Sequence, residues 1–148
     1  MNSQELTDRI ALRELIDKIS ILGDRKDFVS QTQFFSENAI SETYEQGKLL
    51  LKLEGRASMQ TAFSEFLRGF EKVYHFNGQQ TLEIDGDHAS GNVYCLITLI
   101  AVHNGETIKK SIGATYQDEY VRENNRWLIA KRSGSFEWQN QSVSTKLT

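Results

Sequence analysis

The sequence has no proline in its 148 residues and only one cysteine. Without proline, its turns must rely on glycine, asparagine and aspartate. A lone cysteine cannot form a disulfide within the chain. Cys95 lies inside an apolar run and reads as a small buried hydrophobe in a reducing compartment. Basic runs are also missing and the net charge is -3, so nucleic acid is not an expected partner. The apolar run Val93–Val102, broken only by Thr98, is too short to span a bilayer as a helix. The opening residues, MNSQELTDRI, lack a charged segment followed by an apolar one. No signal peptide or membrane anchor is expected, and the cytoplasm is the default location. His75, His88 and His103 stand more than a dozen residues apart, which is not a metal-site spacing, so no metal is expected. Neither a glycine-rich phosphate loop nor a nucleophile elbow occurs, and no cofactor is expected. Asn140-Gln141-Ser142 matches a glycosylation sequon but has no secretory context.

What is present fits one domain, with 39% hydrophobic and 25% charged residues. Leu6, Ile10, Leu12, Leu15, Ile16, Ile19 and Leu22 recur at helical spacing behind Ser3, which is expected to cap the helix, and Gly23 stops it. Asp27 can cap a short second helix running through Phe34-Phe35. Ala39–Glu45 reads as a strand, with Leu49–Leu53 returning after a turn. Gly55-Arg56 opens a helix carrying Met59, Ala62, Phe63, Phe66, Leu67 and Phe70 on one side. Four long strands follow: His75–Ile84 with a bulge at Gly78, Ala89–Val102, Glu106–Arg122 and Arg126–Trp138. Asp85-Gly86, Asn104-Gly105 and Glu123-Asn124-Asn125 supply the hairpin turns. Residues 139–148 read as a loose polar tail behind a core of about 6–138. Helices in front of strands predict an α+β fold, a curved antiparallel sheet wrapped over N-terminal helices. Such a cone leaves an internal pocket for a small ligand.

Within the central strand, Val93, Cys95, Ile97, Leu99 and Ala101 form an apolar set expected to face the cone. Asn92, Tyr94, Leu96, Thr98, Ile100 and Val102 form a mixed set on the opposite face. Aliphatic residues there would lie in water in a monomer, so a homodimer through the outer sheet face is expected.

Several residues carry a family resemblance. Asp24, Asp27-Phe28, Phe35-x-Glu-Asn-Ala and Gly55-Arg56 resemble the opening of SnoaL-like domains. His75, Asp85-Gly86-Asp87-x-Ala89, Tyr116-x-Asp118, Arg122, Arg126-Trp127-x-Ile129 and Arg132 resemble the rest of the pattern, from about Leu6 to Trp138. The resemblance implies the nuclear-transport-factor-two-like, cystatin-like superfold, which hosts scytalone dehydratase, steroid isomerases, polyketide cyclases, dioxygenase small subunits and pure binding modules. It implies frequent dimers, and an Asp24 that holds His75 in a proton-abstracting pair. A buried carboxylate fixes the imidazole tautomer and supports the imidazolium formed when the ring takes a proton. The sequence also departs from dehydratase-like relatives. Thr98-Leu99-Ile100 stands where they place a second histidine, and Gly23 where they place a tyrosine. What the resemblance then implies is a single-base lyase or isomerase reaction, or binding alone.

Each candidate has a plainer alternative. The plainer reading has Asp24 ending a helix and His75 as a satisfied half-buried histidine. Asp118 and Arg132 on neighbouring strands can form a structural pair or bind a ligand carboxylate. Tyr44, Phe63, Phe66, Phe70, Tyr94, Tyr116, Phe136 and Trp138 can line an apolar cavity or be ordinary core. As lining, they suit an apolar or cyclic small molecule.

Overall fold

The computed structural model of the protein describes residues 1–145. Helix α1, Ser3–Asp24, starts where the Asn2 side chain accepts the Glu5 backbone N–H at 2.8 Å. Asn2 therefore caps the helix and Ser3 is its first residue, because the asparagine oxygen reaches the free amide of the first turn. Leu12, Leu15, Ile16 and Ile19 form its buried face. Truncating Leu12 or Ile16, both fully buried, to alanine would cost about 2–5 kcal/mol. Asp27 caps α2, Phe28–Thr32, accepting from Ser30 N–H at 3.1 Å. This helix ends before Phe34-Phe35, since Phe35 already belongs to a strand and pairs with Ile129.

The remaining elements are β1 (Phe35–Glu45), β2 (Lys48–Glu54), α3 (Arg56–Leu67), β3 (Lys72–Asp85), β4 (His88–His103), β5 (Glu106–Glu123) and β6 (Arg126–Ser144). They form one curved, unclosed sheet in the order β2-β1-β6-β5-β4-β3. Every pairing is antiparallel except β1 with β6, which is parallel. A parallel pair needs a long connection, and the whole chain from β2 to β5 supplies it. The hairpins turn without proline. Gln46-Gly47, Asn104-Gly105 and Asn124-Asn125 each have positive φ at both central residues, the condition for a tight turn that matches strand twist. The turn after Asp85 has positive φ only at Gly86, its first central residue.

Bulges bend the sheet. Register breaks occur at Asn77/Gln80, Gly113/Ala114 and Glu119/Tyr120, each adding local twist. The first also fastens α1. It frees the Asn77 and Gly78 carbonyls, which accept from Arg13 at 3.2 and 2.7 Å. The Asn77 amide in turn donates to the Ile16 carbonyl, Asp17 and Ser20 at 3.2, 3.1 and 2.9 Å. At the other end of α1, buried Asp8 accepts from Trp127 at 3.1 Å and from Arg122. These ties fix where the C-terminal turn of α1 meets β3.

β4 alternates as its parity requires. Ala89, Val93, Cys95, Ile97 and Leu99 are buried, while Tyr94, Leu96 and Val102 are exposed. The expected loose tail from Gln139 is corrected through Ser144. That stretch continues β6 and pairs with β5 from Ile112↔Gln139 to Thr107↔Ser144. Polar composition misled here, because the far half of β5 would otherwise be left without a partner on this side. Residues 146–148, the end of that tail, lie outside the described residues. Two clusters of buried side chains result. One joins α1 to Phe35, Val93, Tyr120 and Ile129; the other gathers Val73, Cys95, Ile97, Leu99, Ile112 and Ala114. Tyr116 packs against both.

Candidate functional site

Asp24 is the last residue of α1, where helix carbonyls point outward and a carboxylate is electrostatically disfavoured. No basic residue in that turn offsets this. β3 does: Asp24 Oδ1 accepts the His75 backbone N–H at 3.0 Å and lies 2.7 Å from ring Nδ1. A carboxylate can only accept, so the Nδ1 proton belongs between them and Nε2 of the neutral ring keeps its lone pair. No described residue hydrogen-bonds Nε2. The chain leaves α1 through Lys26, at φ 57°, whose ammonium donates to the Phe70 carbonyl and closes this corner.

His75 borders a cavity of about 350 Å³ between the helices and the concave sheet face. Ile19, Phe28, Phe63, Phe66, Leu99 and Phe136 give it an apolar wall. Gln31, Tyr116 and Arg132 are among its polar lining groups. Arg132 binds buried Asp118 through Nε and Nη2 at 2.8 and 2.9 Å, and Tyr120 donates to the same carboxylate at 2.8 Å. The guanidinium carbon lies 4.1 Å from the centre of the Tyr116 ring. Burial alone would lower the Arg132 pKa, but the Asp118 charge and hydrogen bonds outweigh it and hold the value above the ordinary one. Burial pushes the Tyr116 and Tyr120 phenols well above their usual range; the Asp118 charge adds to this and the Arg132 charge opposes it. It also pushes the Cys95 thiol up to about 11.

The structure thus brings together Asp24, His75, Phe63, Phe66, Tyr116 and Arg132. Phe66 stands at the mouth, 60% exposed. Tyr44 and Trp138 lie elsewhere. Tyr44 pairs with Ser135 and borders a polar groove on the outer face, since its neighbour Thr43 takes the inward position. Trp138 pairs with Gly113, and a Cβ on that glycine would come 2.1 Å from the indole nitrogen. Phe136 and Trp138 would share a face in a regular strand. The break at Gly113/Ala114 inserts one residue between them and turns Trp138 outward.

Gln31 is the lining residue that sequence reasoning missed. Its Nε2 donates to the Ile19 carbonyl at 3.0 Å, which fixes the amide orientation and leaves buried Oε1 without a partner among the described residues. Gly23 makes the room, because a Cβ there would stand 2.8 Å from Nε2. The signal lay in Gly23, read as a helix stop and as the place of a tyrosine in dehydratase-like relatives, but not as room for a neighbouring side chain.

The SnoaL-like domain model matches residues 4–133. Uncharacterized proteins of Mycobacterium tuberculosis H37Rv and Mycobacterium bovis are 26% identical over 129 residues, covering 86% of this chain and 84% of theirs. A candidate scytalone dehydratase from Novosphingobium aromaticivorans shares the fold at a TM-score of 0.84 and 14% identity, over 95% of this chain and 91% of that one. A hexachlorocyclohexane dehydrochlorinase does so at 0.78 and 19%, over 93% and 90%.

Proposed function

The chain belongs to the SnoaL-like domain family, and from that premise we propose that it is a lyase or isomerase acting on an apolar cyclic small molecule, with His75 as base. One observation carries the reading: Asp24 occupies Nδ1 of His75 at 2.7 Å while the ring borders an apolar cavity. Nε2 takes a proton from a carbon next to an electron-withdrawing group, and Asp24 steadies the imidazolium. The electron pair left behind forms a new double bond; in water loss the neighbouring C–O bond breaks and the hydroxide leaves as water with the imidazolium's proton, and in a double-bond shift the imidazolium returns its proton to a second carbon. Phe63 and Phe66 hold the ring of the substrate, and the cavity volume suits a molecule of one to three rings.

The shared first step can be read directly with 2-tetralone in D₂O, by following exchange of its α-protons by NMR. The wild-type protein should accelerate exchange, and His75→Ala should lose about 10²–10⁴-fold. Full exchange by His75→Ala would overturn the proposal and leave a binding module without chemistry, or an accessory subunit.

The outer sheet face supports a second part of the proposal, a homodimer. Phe76, Leu96 and Trp138 are aligned across the strands through Gly113, beside Tyr74 and Tyr94, and all five side chains are exposed. A solution mass equal to one chain at micromolar concentration would contradict it. Among the described residues no helix is long and apolar enough to cross a membrane. The buried single thiol fits the cytoplasm as the location, which cell fractionation checks.

A further inference from the structure

Buried polar atoms of folded proteins are almost always bonded, and one on this cavity wall is not. Gln31 is 8% exposed and lines the cavity. Its backbone is tied at both ends, its N–H donating to the Asp27 carbonyl at 3.0 Å and its carbonyl accepting from the Phe34 N–H at 3.1 Å. Nε2 ties α2 to α1 through the Ile19 carbonyl at 3.0 Å. That tie leaves Oε1 buried with no partner among the described residues, which costs stability. Gly23 gives the amide its place. It is helical, with no positive φ to demand glycine, so what it supplies is room. A Cβ there would stand 2.8 Å from Gln31 Nε2 and 3.9 Å from His75 Cε1, so one missing side chain sets the amide and the imidazole against the same space.

The surroundings narrow which donor Oε1 can meet. Around Gln31 the cavity lining is Ile19 and Gly23 of α1 and Phe28, one turn earlier in α2. His75 Nε2, next to Cε1 in the ring, is a second acceptor. A hydroxyl would satisfy Oε1 but set its own lone pairs beside that acceptor and apolar side chains. An ammonium would lose its water for one neutral oxygen, which a single bond does not offset. The N–H of a conjugated ring, as in indole, only donates and leaves nothing unmatched.

We infer that the cavity takes an apolar ring compound bearing an N–H, and that Gln31 is the specificity-determining residue that selects it by accepting this hydrogen at Oε1. The inference names a class of ligand for the same cavity and stands whether or not His75 takes a proton. With the N–H on Gln31, Nε2 of His75 stays free for a C–H bond, and the amide decides which edge of the ring turns toward α1. A glutamine in this place also rejects the wrong ring, because a ligand without the donor leaves Oε1 buried and unpaired.

Indole, indene and benzofuran share one shape and differ at one ring position, which is N–H, CH₂ or a bare oxygen. Their affinities are read by NMR titration against the wild type, Gln31→Leu, Gly23→Ala and His75→Ala. The wild type should bind indole about fivefold more tightly than either of the others. Gln31→Leu should reverse the order of indole and indene, since the N–H then loses its hydration and gains no acceptor. Gly23→Ala keeps the helix and the glutamine but drives the amide from its place, and should lose the preference too. His75→Ala should keep it. A wild type that binds all three alike, prefers benzofuran or binds none overturns the inference. So does a Gln31→Leu or Gly23→Ala that still prefers indole, or a His75→Ala that does not, because the N–H then meets Nε2. Failure of 2-tetralone exchange with the indole preference intact refutes the base alone, because affinity is read without turnover. Glutamine labelled with ¹⁵N in the side chain covers the case of an unfolded variant. In the wild type, the Gln31 amide signal should shift with indole and not with indene; equal shifts count against the inference.

Discussion

Two carboxylates stand by one cavity, and each holds a basic side chain in a different way. Asp118 grips Arg132 from inside the sheet with two bonds, helped by Tyr120, and its side chain is 0% exposed. Asp24 holds His75 across the seam between α1 and β3 through one ring nitrogen and one backbone amide, with its side chain 22% exposed. In the first pair the guanidinium is held charged by the carboxylate it grips, its pKa above the ordinary value. The second contains the one side-chain type whose ordinary titration falls near neutrality. The difference separates their duties. A buried pair with two bonds between its members can orient a wall, and an imidazole with one nitrogen held and the other unbonded can do chemistry.

Breaking the inner pair should have the largest effect. Asp118→Ala strands a buried guanidinium and orphans the Tyr120 hydroxyl, so it should cost about 3–5 kcal/mol in chemical denaturation. Asp24→Ala, at the wetter seam, should cost about 1–2 kcal/mol. Equal losses would erase the distinction between the two. The catalytic contrast comes next. Asp24→Asn keeps the shape but lets the amide favour the other tautomer, so 2-tetralone exchange should fall about 10²-fold or more with the fold intact. An unchanged rate would show that Asp24 does not orient the base.

A third carboxylate provides a reference far from the cavity. Burial pushes Asp8 upward, but hydrogen bonds from Trp127, Gln4 and Arg122, with the Arg122 charge, outweigh it and leave the group below its ordinary 3.8. A depressed folded-state pKa gives stability that is present above the unfolded value. It is lost as pH falls below about 3.8 through the folded value. Thermal melts should therefore drop below pH 4 in the wild type. Asp8→Asn should be less stable at neutral pH and flatter over that acid window. Parallel acid limbs in the two proteins would remove Asp8 from the account.

How much of this could be read from the sequence follows from which regularities hold locally. Asp24 and His75 were legible as a pair only through the family resemblance, since no local regularity links a helix end to a strand 51 residues on, and β3 already begins at Lys72. Asp118 and Arg132 were legible as belonging to neighbouring strands, but their direct pairing depends on the register break at Glu119/Tyr120; the register set by the Asn124-Asn125 turn would have placed Lys131 opposite Asp118. Period-two reasoning held across β4, whose pairing with β5 has no break. It failed beyond Phe136, where one inserted residue turned Trp138 outward. Gln31 was not legible, since its place depends on a missing side chain eight residues earlier in another helix, at Gly23.

Cys95 allows the smallest and most direct test of the comparison, because it senses both pairs. Burial is the main reason its thiol lies at about 11; the Arg132 charge lowers it and the Asp24 charge raises it. At pH 8 roughly one thiol in 10³ is then ionised, so iodoacetamide should label the native protein at least about 100-fold more slowly than the denatured chain. Removing one charge at a time should move this rate in opposite directions. Asp24→Asn takes away a negative neighbour and should speed labelling by a few-fold. Arg132→Met takes away a positive one and should slow it, provided that circular dichroism shows the fold retained. If both changes speed labelling, the thiol is reporting local opening, and the two pairs do not act on it as charges. If they move it oppositely, one buried sulfur reads two carboxylate-centred pairs at once, the inner pair through its cation and the seam pair through its anion.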